Sequence, residues 1–437
     1  MKLIVDKIAL GLLLVSIFAA VACNRQWKGQ DPLKVVDTHA QPIQKQLREV
    51  FSLGNGYYAS NDFDCARLSG IVLTNDTLIT ALINPENTPI NASPWYAFKI
   101  WSDTVQSIYL KLSYLHNVKH RYPPKISMDG KHWNLLDSAL VIPGPIAKRR
   151  NDRQQPDFIT MRLKLSKDTM WIAANEIVTS SETELWSDRM ATIPFVEKSN
   201  IGESRDGRPI NILTIGEADD SKLLMLLGRQ HPPEISGYWA MKKFVETICT
   251  DNKLARQFRN RFRTYVVPMV NPDGIDNGHW RHTTGGVDPN RDWAEFRQKE
   301  TSLIRNFMID KESSSAGVFL CGIDFHSTVE DIYYTIDPKL KGNMPGLIPQ
   351  LIDSIAKAFP DHEHMVRAKD EDDYRISSVS YFFHGHGAEA LVYEVGDEAP
   401  KDFVLKKAEV AANTLMEIML SRDDSSLQQE TVQHLQK

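Results

Sequence analysis

Cysteine is scarce in this chain. Cys23, Cys65, Cys249 and Cys321 are the four among 437 residues, and no two form a Cys-x-x-Cys pair. That argues against a thiolate metal site and against a disulfide framework. No segment repeats at a fixed period, which argues against solenoids and propellers. No basic cluster offsets the net charge of −5, so nothing supports nucleic-acid binding. Long hydrophobic runs are also missing: the apolar stretch 8–20 is too short for a helix crossing about 30 Å of hydrocarbon. What is left is an ordinary globular composition, 42% hydrophobic and 24% charged, in a chain long enough for two or more domains.

The short apolar stretch has a meaning of its own. Lys2 and Lys7 precede or flank it, and it runs into Ala20-Val-Ala-Cys23. Small residues before a cysteine resemble a bacterial lipoprotein processing site. The resemblance implies removal of residues 1–22, acylation of Cys23, and a mature protein held on the periplasmic or cell-surface side of a membrane. An ordinary export signal cleaved near Ala22 is the alternative. Cys249, at the end of an apolar helical face, and Cys321, inside a strand, then read as small buried hydrophobes.

Residues 24–191 read as a β-sandwich. Trp95–Trp101, Ser107–Ser113 and Thr160–Ser166 alternate apolar and polar side chains, as half-buried strands do. Clusters such as Tyr122-Pro-Pro-Lys125 and Met128-Asp-Gly130 mark turns between them. Ser127–Trp133 reads as an exposed hairpin. No catalytic constellation is visible in this region, which is expected to be structural or to position substrate. From residue 192 to 420, strands alternate with helical stretches, the mark of βαβ units and an α/β fold. Asn211–Ile215 is the first clear strand, and 350–359 and 406–420 carry helical periodicity. Residues 421–437 form a polar tail.

Chemistry concentrates in the second half. Leu223–Leu227 is a short apolar strand, and Ile235, Tyr238, Trp239, Val245 and Ile248 then recur on one helical face. Between them stands His231-Pro-Pro-Glu234, in the crevice beyond a strand's carboxyl end where open α/β sheets bind ligands. A histidine and a carboxylate at this spacing can turn toward one Zn²⁺. The spacing alone is weak, because it arises by chance about once in a chain this size. A second copy, His386-Gly-Ala-Glu389, is indeed present. Context favours the first. Thr264–Val270 breaks at Asn271-Pro-Asp-Gly274, followed by His279-Trp-Arg-His282 and Val287-Asp-Pro-Asn-Arg-Asp-Trp293. The apolar strand 317–325 ends at His326, and Ala390–Tyr393 ends at Glu394.

Taken in order, these motifs resemble the zinc carboxypeptidase family over roughly residues 200–420. The flavour is that of the cytosolic carboxypeptidase branch, through Gly228-Arg-Gln-His-Pro-Pro-Glu234 and Asn271-Pro-Asp-Gly274. The resemblance implies a mixed, mostly parallel sheet flanked by helices, preceded by an all-β sandwich. It implies one Zn²⁺ per chain on His231, Glu234 and His326, Arg281 polarising the scissile carbonyl, and Glu394 as general base. It also implies that Asn290 and Arg291 grip the terminal carboxylate of a peptide or protein substrate. The family's assisting tyrosine would be Tyr374 or Tyr381. Arg375 beside them would favour acidic chain ends. His384-x-His386 and His362-x-His364 have metal-like spacing, but Gly385 and Gly387 read as a flexible loop with solvated or pocket-lining histidines. Two rivals stand beside the exported metallocarboxypeptidase. One is a zinc amidohydrolase acting on acylated amino acids or cell-wall stem peptides. The other is a binding protein on an inactive hydrolase scaffold, which the ordered presence of every ligand and base disfavours.

Overall fold

The computed structural model describes residues 40–88, 90–115, 118–146, 155–369 and 376–422. The segment ending at Cys23, together with Tyr374, Arg375 and residues 423–437, lies outside them. The first half builds two sheets. One runs in the order Val50–Gly54, Tyr57–Ser60, Ala97–Ser102, Met170–Ala173, Lys125–Ser127, Asn134–Leu135. The other runs Gly70–Asn75, Leu78–Ile83, Gln106–Tyr114, Ile159–Leu165, Val141–Pro143. Alternation is the reason: Ile159, Met161, Leu163 and Leu165 are buried while Arg162 and Lys164 are exposed. Buried side chains of both sheets, such as Phe98, Ile100, Leu110 and Leu112, join one apolar core. Lys125–Ser127 and Asn134–Leu135 pair as the expected hairpin.

The second half is built on one eight-stranded sheet. Its order is Val196–Glu203, Pro209–Ile215, Arg263–Val267, Lys222–Gly228, Val318–Thr328, Glu389–Gly396, Ile332–Ile336, Met365–Lys369. The inner strands from Arg263–Val267 to Glu389–Gly396 are parallel to one another, and antiparallel strands flank them. Such inner strands are apolar on both faces because helices cover both. Leu224, Leu226, Ile323 and Tyr393 face a core shared with the helices Ile235–Ile248, Leu347–Ala358 and Lys401–Leu420. Leu223, Met225, Leu227 and Val392 face a second core that includes Ile304, Met308, Val379 and Phe382, from the helices Lys299–Ser315 and Ser378–His386.

Two local expectations are corrected. His326 and Glu394 are not the residues that end their strands. Backbone pairing continues through Ser327 with Val395 and Thr328 with Gly396, which makes His326 and Glu394 direct neighbours across two parallel strands. The stretch holding His384 and His386 is not a loop. It is the last turn of the helix Ser378–His386, and Gly387 closes it at φ +67, the left-handed cap that glycine adopts without strain.

Candidate metal centre

The turn carrying His231 and Glu234 is braced from below. Asn271 accepts from the Gly274 N–H at 2.9 Å, starting the short helix Pro272–Asp276. Its amide donates to the Gln230 carbonyl at 3.1 Å, so the Asn-Pro-Asp-Gly turn props the residue before His231. The helix Ile235–Ile248 presses on the strand bearing His326. A Cβ on Gly237 would lie 2.3 Å from the His326 carbonyl oxygen, and the Gly237 N–H donates to Ser327 Oγ at 2.7 Å. Glu234 stands at the helix N-cap but makes no capping bond. A carboxylate there ordinarily caps; this one is turned elsewhere.

It is turned to the two histidines. His231 Nδ1 lies 2.8 Å from Glu234 Oε1, and His326 Nδ1 lies 2.7 Å from Oε2. All three residues are buried, and their ligand atoms lie within 4.8 Å of one another. Each imidazole engages a carboxylate on its other side. His231 Nε2 is 2.9 Å from Asp288 and His326 Nε2 is 2.8 Å from Asp324. Each Nε2–H is thereby assigned as donor, so a neutral ring presents its Nδ1 lone pair to Glu234. Two lone pairs and a carboxylate facing one another repel unless a proton or a cation sits between them. The donor set therefore fits Zn²⁺, with two imidazole nitrogens and one carboxylate.

The charges fit the same account. Burial opposes ionisation of Glu234, but the two histidines outweigh it and hold the carboxyl well below its ordinary range. For His326, burial opposes the charge, while Asp324 and Glu234 outweigh it and raise the imidazole well above its ordinary value. Glu394, one strand over, behaves in the opposite sense. Burial first, then the neighbouring Glu234 charge, push it up to about 8. As a residue Glu394 is partly exposed, yet its Oε2 is buried with no hydrogen-bond partner among the described residues. The pKa follows the atom rather than the residue average, because the charge sits on the carboxyl oxygens.

The remaining site residues are linked to this cluster. Arg281 Nε donates to Asp288 Oδ2, on the carboxylate that also holds His231. The Asn290 N–H donates to Asp288 Oδ1 at 2.9 Å, and the Asn290 side chain approaches His326 Nε2 at 3.5 Å. Ser378, opening its helix, donates its N–H to Asn290 Oδ1 at 3.0 Å. Arg291 donates to its neighbour's carbonyl at 2.8 Å and is partly exposed. Tyr381 lies in an aromatic group with Trp293, Phe296 and His386 at ring separations of 5.6, 5.0 and 4.8 Å. Sequence reasoning missed Asp288, Asp324 and Gln230, which donates to Asp324 and accepts from Trp293 Nε1 at 3.0 Å. Asp324 had a readable signal: it lies two residues before His326 in a strand, hence on the same face.

Two buried histidines and a carboxylate, gathered at the carboxyl edge of a mixed sheet, could together hold one metal ion, and their donor types fit those of a mononuclear zinc enzyme centre. The chain belongs to the zinc carboxypeptidase family, whose pattern matches residues 183–431. It is 29% identical to human cytosolic carboxypeptidase 2 over 201 residues, which cover 42% of this chain and 22% of that one. It is 37% identical to an uncharacterised protein of Zymomonas mobilis over 124 residues, 28% of this chain and 32% of that one. The chain thus spans about a third or less of the length of these curated relatives. Among solved structures it resembles a metallo-carboxypeptidase from Pseudomonas aeruginosa in complex with (2-guanidinoethylmercapto)succinic acid. That likeness has a TM-score of 0.64 at 18% identity, covering 84% of this chain and 99% of that one, and so concerns the fold.

Proposed function

We propose that the chain is an exported zinc metallocarboxypeptidase that hydrolyses the last peptide bond of peptides or proteins. The observation that carries this reading is the convergence of His231, Glu234 and His326, with Glu394 in register beside His326. Zinc held there would supply Lewis-acid activation of water at neutral pH. Every other role falls to the chain itself. Glu394 takes a proton during attack and returns it to the leaving amine, a task suited to its buried oxygen, which has no hydrogen-bond partner among the described residues. Arg281, fixed by Asp288, offers its remaining guanidinium N–H groups to the carbonyl oxygen as negative charge develops. Asn290 and Arg291 bind the substrate's free carboxylate, since a planar guanidinium and an amide suit a carboxylate's two oxygens. Tyr374 and Tyr381 stay as candidates for the substrate wall around residues 374–390. The motif Ala20-Val-Ala-Cys23 supports export and a lipid anchor at Cys23, on the periplasmic or cell-surface side of a bacterial envelope.

The test is mass spectrometry of a mixed peptide library incubated with residues 24–437 and zinc, with Glu394→Gln as control. Loss of single carboxy-terminal residues in the wild type alone is the expected result. Intact peptides from protein holding about one zinc would overturn it in favour of acylated amino acids or cell-wall stem peptides.

A further inference from the structure

The segment bearing Arg281 is not held by the catalytic half alone. Glu86 follows the strand Leu78–Ile83 in the two-sheet region, and its side chain is fully buried. Its Oε2 accepts from the Trp280 N–H at 2.7 Å. Its Oε1 accepts from the Arg281 N–H at 3.0 Å, the His282 N–H at 2.8 Å and faces His282 Nδ1 at 3.0 Å. Three consecutive backbone N–H groups thus converge on one carboxylate, a geometry that suits an anion. Burial opposes the charge of Glu86, but His282, His279 and Arg67 outweigh it and hold it well below the usual carboxylate range. An ionised carboxylate accepts only, so it matches a site made wholly of donors.

Other contacts from the same half grip the same loop. Trp280 Nε1 donates to the Trp95 carbonyl at 3.0 Å. Gly278, at φ +63, lies so close that a Cβ would be 2.0 Å from the Ala66 carbonyl oxygen. Gln41 N–H donates to the Gly286 carbonyl at 3.0 Å. Arg281 is therefore fixed twice: its backbone by Glu86, and its guanidinium by Asp288, which also holds His231.

We infer that Glu86 is a positioning residue for the hydrolytic reaction, acting through Arg281, so that the two-sheet region forms part of the catalytic apparatus. The inference rests on the carboxypeptidase reading, in which Arg281 faces the substrate carbonyl. Glu86→Gln keeps the shape but turns one oxygen into an amide donor facing an N–H. A misplacement of this kind costs about 10²-fold, and the loss falls on kcat rather than on KM because Arg281 engages developing charge.

The decisive experiment is a double-mutant cycle in the full zinc-loaded protein, using a peptide that the wild type trims. Glu86→Gln should lower kcat about 10²-fold, leave KM within about threefold, and retain about one zinc per chain. Combined with Arg281→Ala it should cost less than about twofold more, because its effect passes through a side chain already gone. Unchanged kcat in Glu86→Gln would overturn the inference, as would an undiminished hundredfold loss on top of Arg281→Ala. If Glu86→Gln does not fold, Glu86→Asp, which keeps the charge and withdraws it by one methylene, is put through the same cycle with about a tenfold loss expected. If the wild type trims no peptide, the functional reading fails by itself, and hydrogen exchange then judges Glu86. The 280–282 amides should exchange about 10²-fold faster in the variant, and equal exchange would overturn the positioning role.

Discussion

The chain contains His-x-x-Glu twice, and the two copies have different fates. His231-Pro-Pro-Glu234 leaves the strand Lys222–Gly228 and enters the helix Ile235–Ile248. His386-Gly-Ala-Glu389 leaves the helix Ser378–His386 and enters the strand Glu389–Gly396. In parallel strands the first kind of junction lies at the carboxyl edge of the sheet and the second at the amino edge. Glu389 pairs with Cys321 and Glu394 with His326, so the second motif sits five residues back along the strand, about 17 Å at ~3.3 Å per residue. There His386 meets Glu312 at 2.8 Å and packs its ring against Phe319, while Glu389 accepts from the Gly342 N–H at 3.1 Å. A histidine and a carboxylate three apart can form a metal site only where a neighbouring strand brings a third ligand, as His326 does for the first motif.

The largest effect that can break this comparison is loss of metal. A four-ligand zinc site is worth about 10–16 kcal/mol, or about 3 kcal/mol per ligand, so His231→Ala should weaken zinc binding by at least ~10²-fold. Dialysed His231→Ala protein should hold far less than one zinc by elemental analysis, whereas His386→Ala should hold the wild-type amount. Metal lost from His386→Ala would mean that the second motif matters to the centre after all. The next effect separates the two glutamates of one strand. Glu394→Gln should bind zinc normally yet lose about 10²–10⁴-fold in kcat, the usual contribution of a positioned proton carrier. Glu389→Gln, at the amino edge, should stay within a few fold of wild type in a peptide-release assay.

How much of this was legible beforehand follows the same divide between local and remote. His231, Glu234, His326 and Glu394 stood out because each closes or follows an apolar run, and the order of the runs matched a family. The mixed sheet was readable for the same reason, from the buried strands 223–227 and 317–325. The direction of the first junction was also readable, whereas the second was read as a loop, and the strand ends were drawn two residues short because His326 and Glu394 are polar inside continuing ladders. Asp288 and Glu86 were not readable. The histidine that Asp288 holds lies 57 residues away and the partners of Glu86 up to 196, and a single acidic residue in a loop carries no periodic signal. Tyr381 was offered, with Tyr374, through the family resemblance alone, and its aromatic neighbours Trp293 and Phe296 carry no pattern that sequence could have shown.

The smallest effect concerns the carboxylates behind the histidines, and it tests whether the two halves of the centre are equivalent. Asp324→Asn and Asp288→Asn should each weaken zinc binding by about 10–100-fold, as loss of such an orienting partner does. They should differ in what saturating zinc restores. Asp324 accepts from His326, Gln230 and Ser378, so Asp324→Asn should recover nearly full kcat once zinc is supplied in excess. Asp288 also holds Arg281 and the Asn290 backbone, so Asp288→Asn should remain slow even when loaded. Acid should expose the same asymmetry. In the metal-free chain Asp324 and Glu234 outweigh burial and keep His326 protonated well above its ordinary range. Zinc must displace that proton, so affinity falls as pH falls, and the fall begins at high pH. Removing the Asp324 charge lowers the imidazole's hold on its proton and should shift the acid fall-off of zinc affinity to lower pH, measured by competition with a coloured chelator. An unshifted profile would mean that Glu234 alone sets the proton's affinity, and that Asp324 acts only as an orienting hydrogen-bond acceptor.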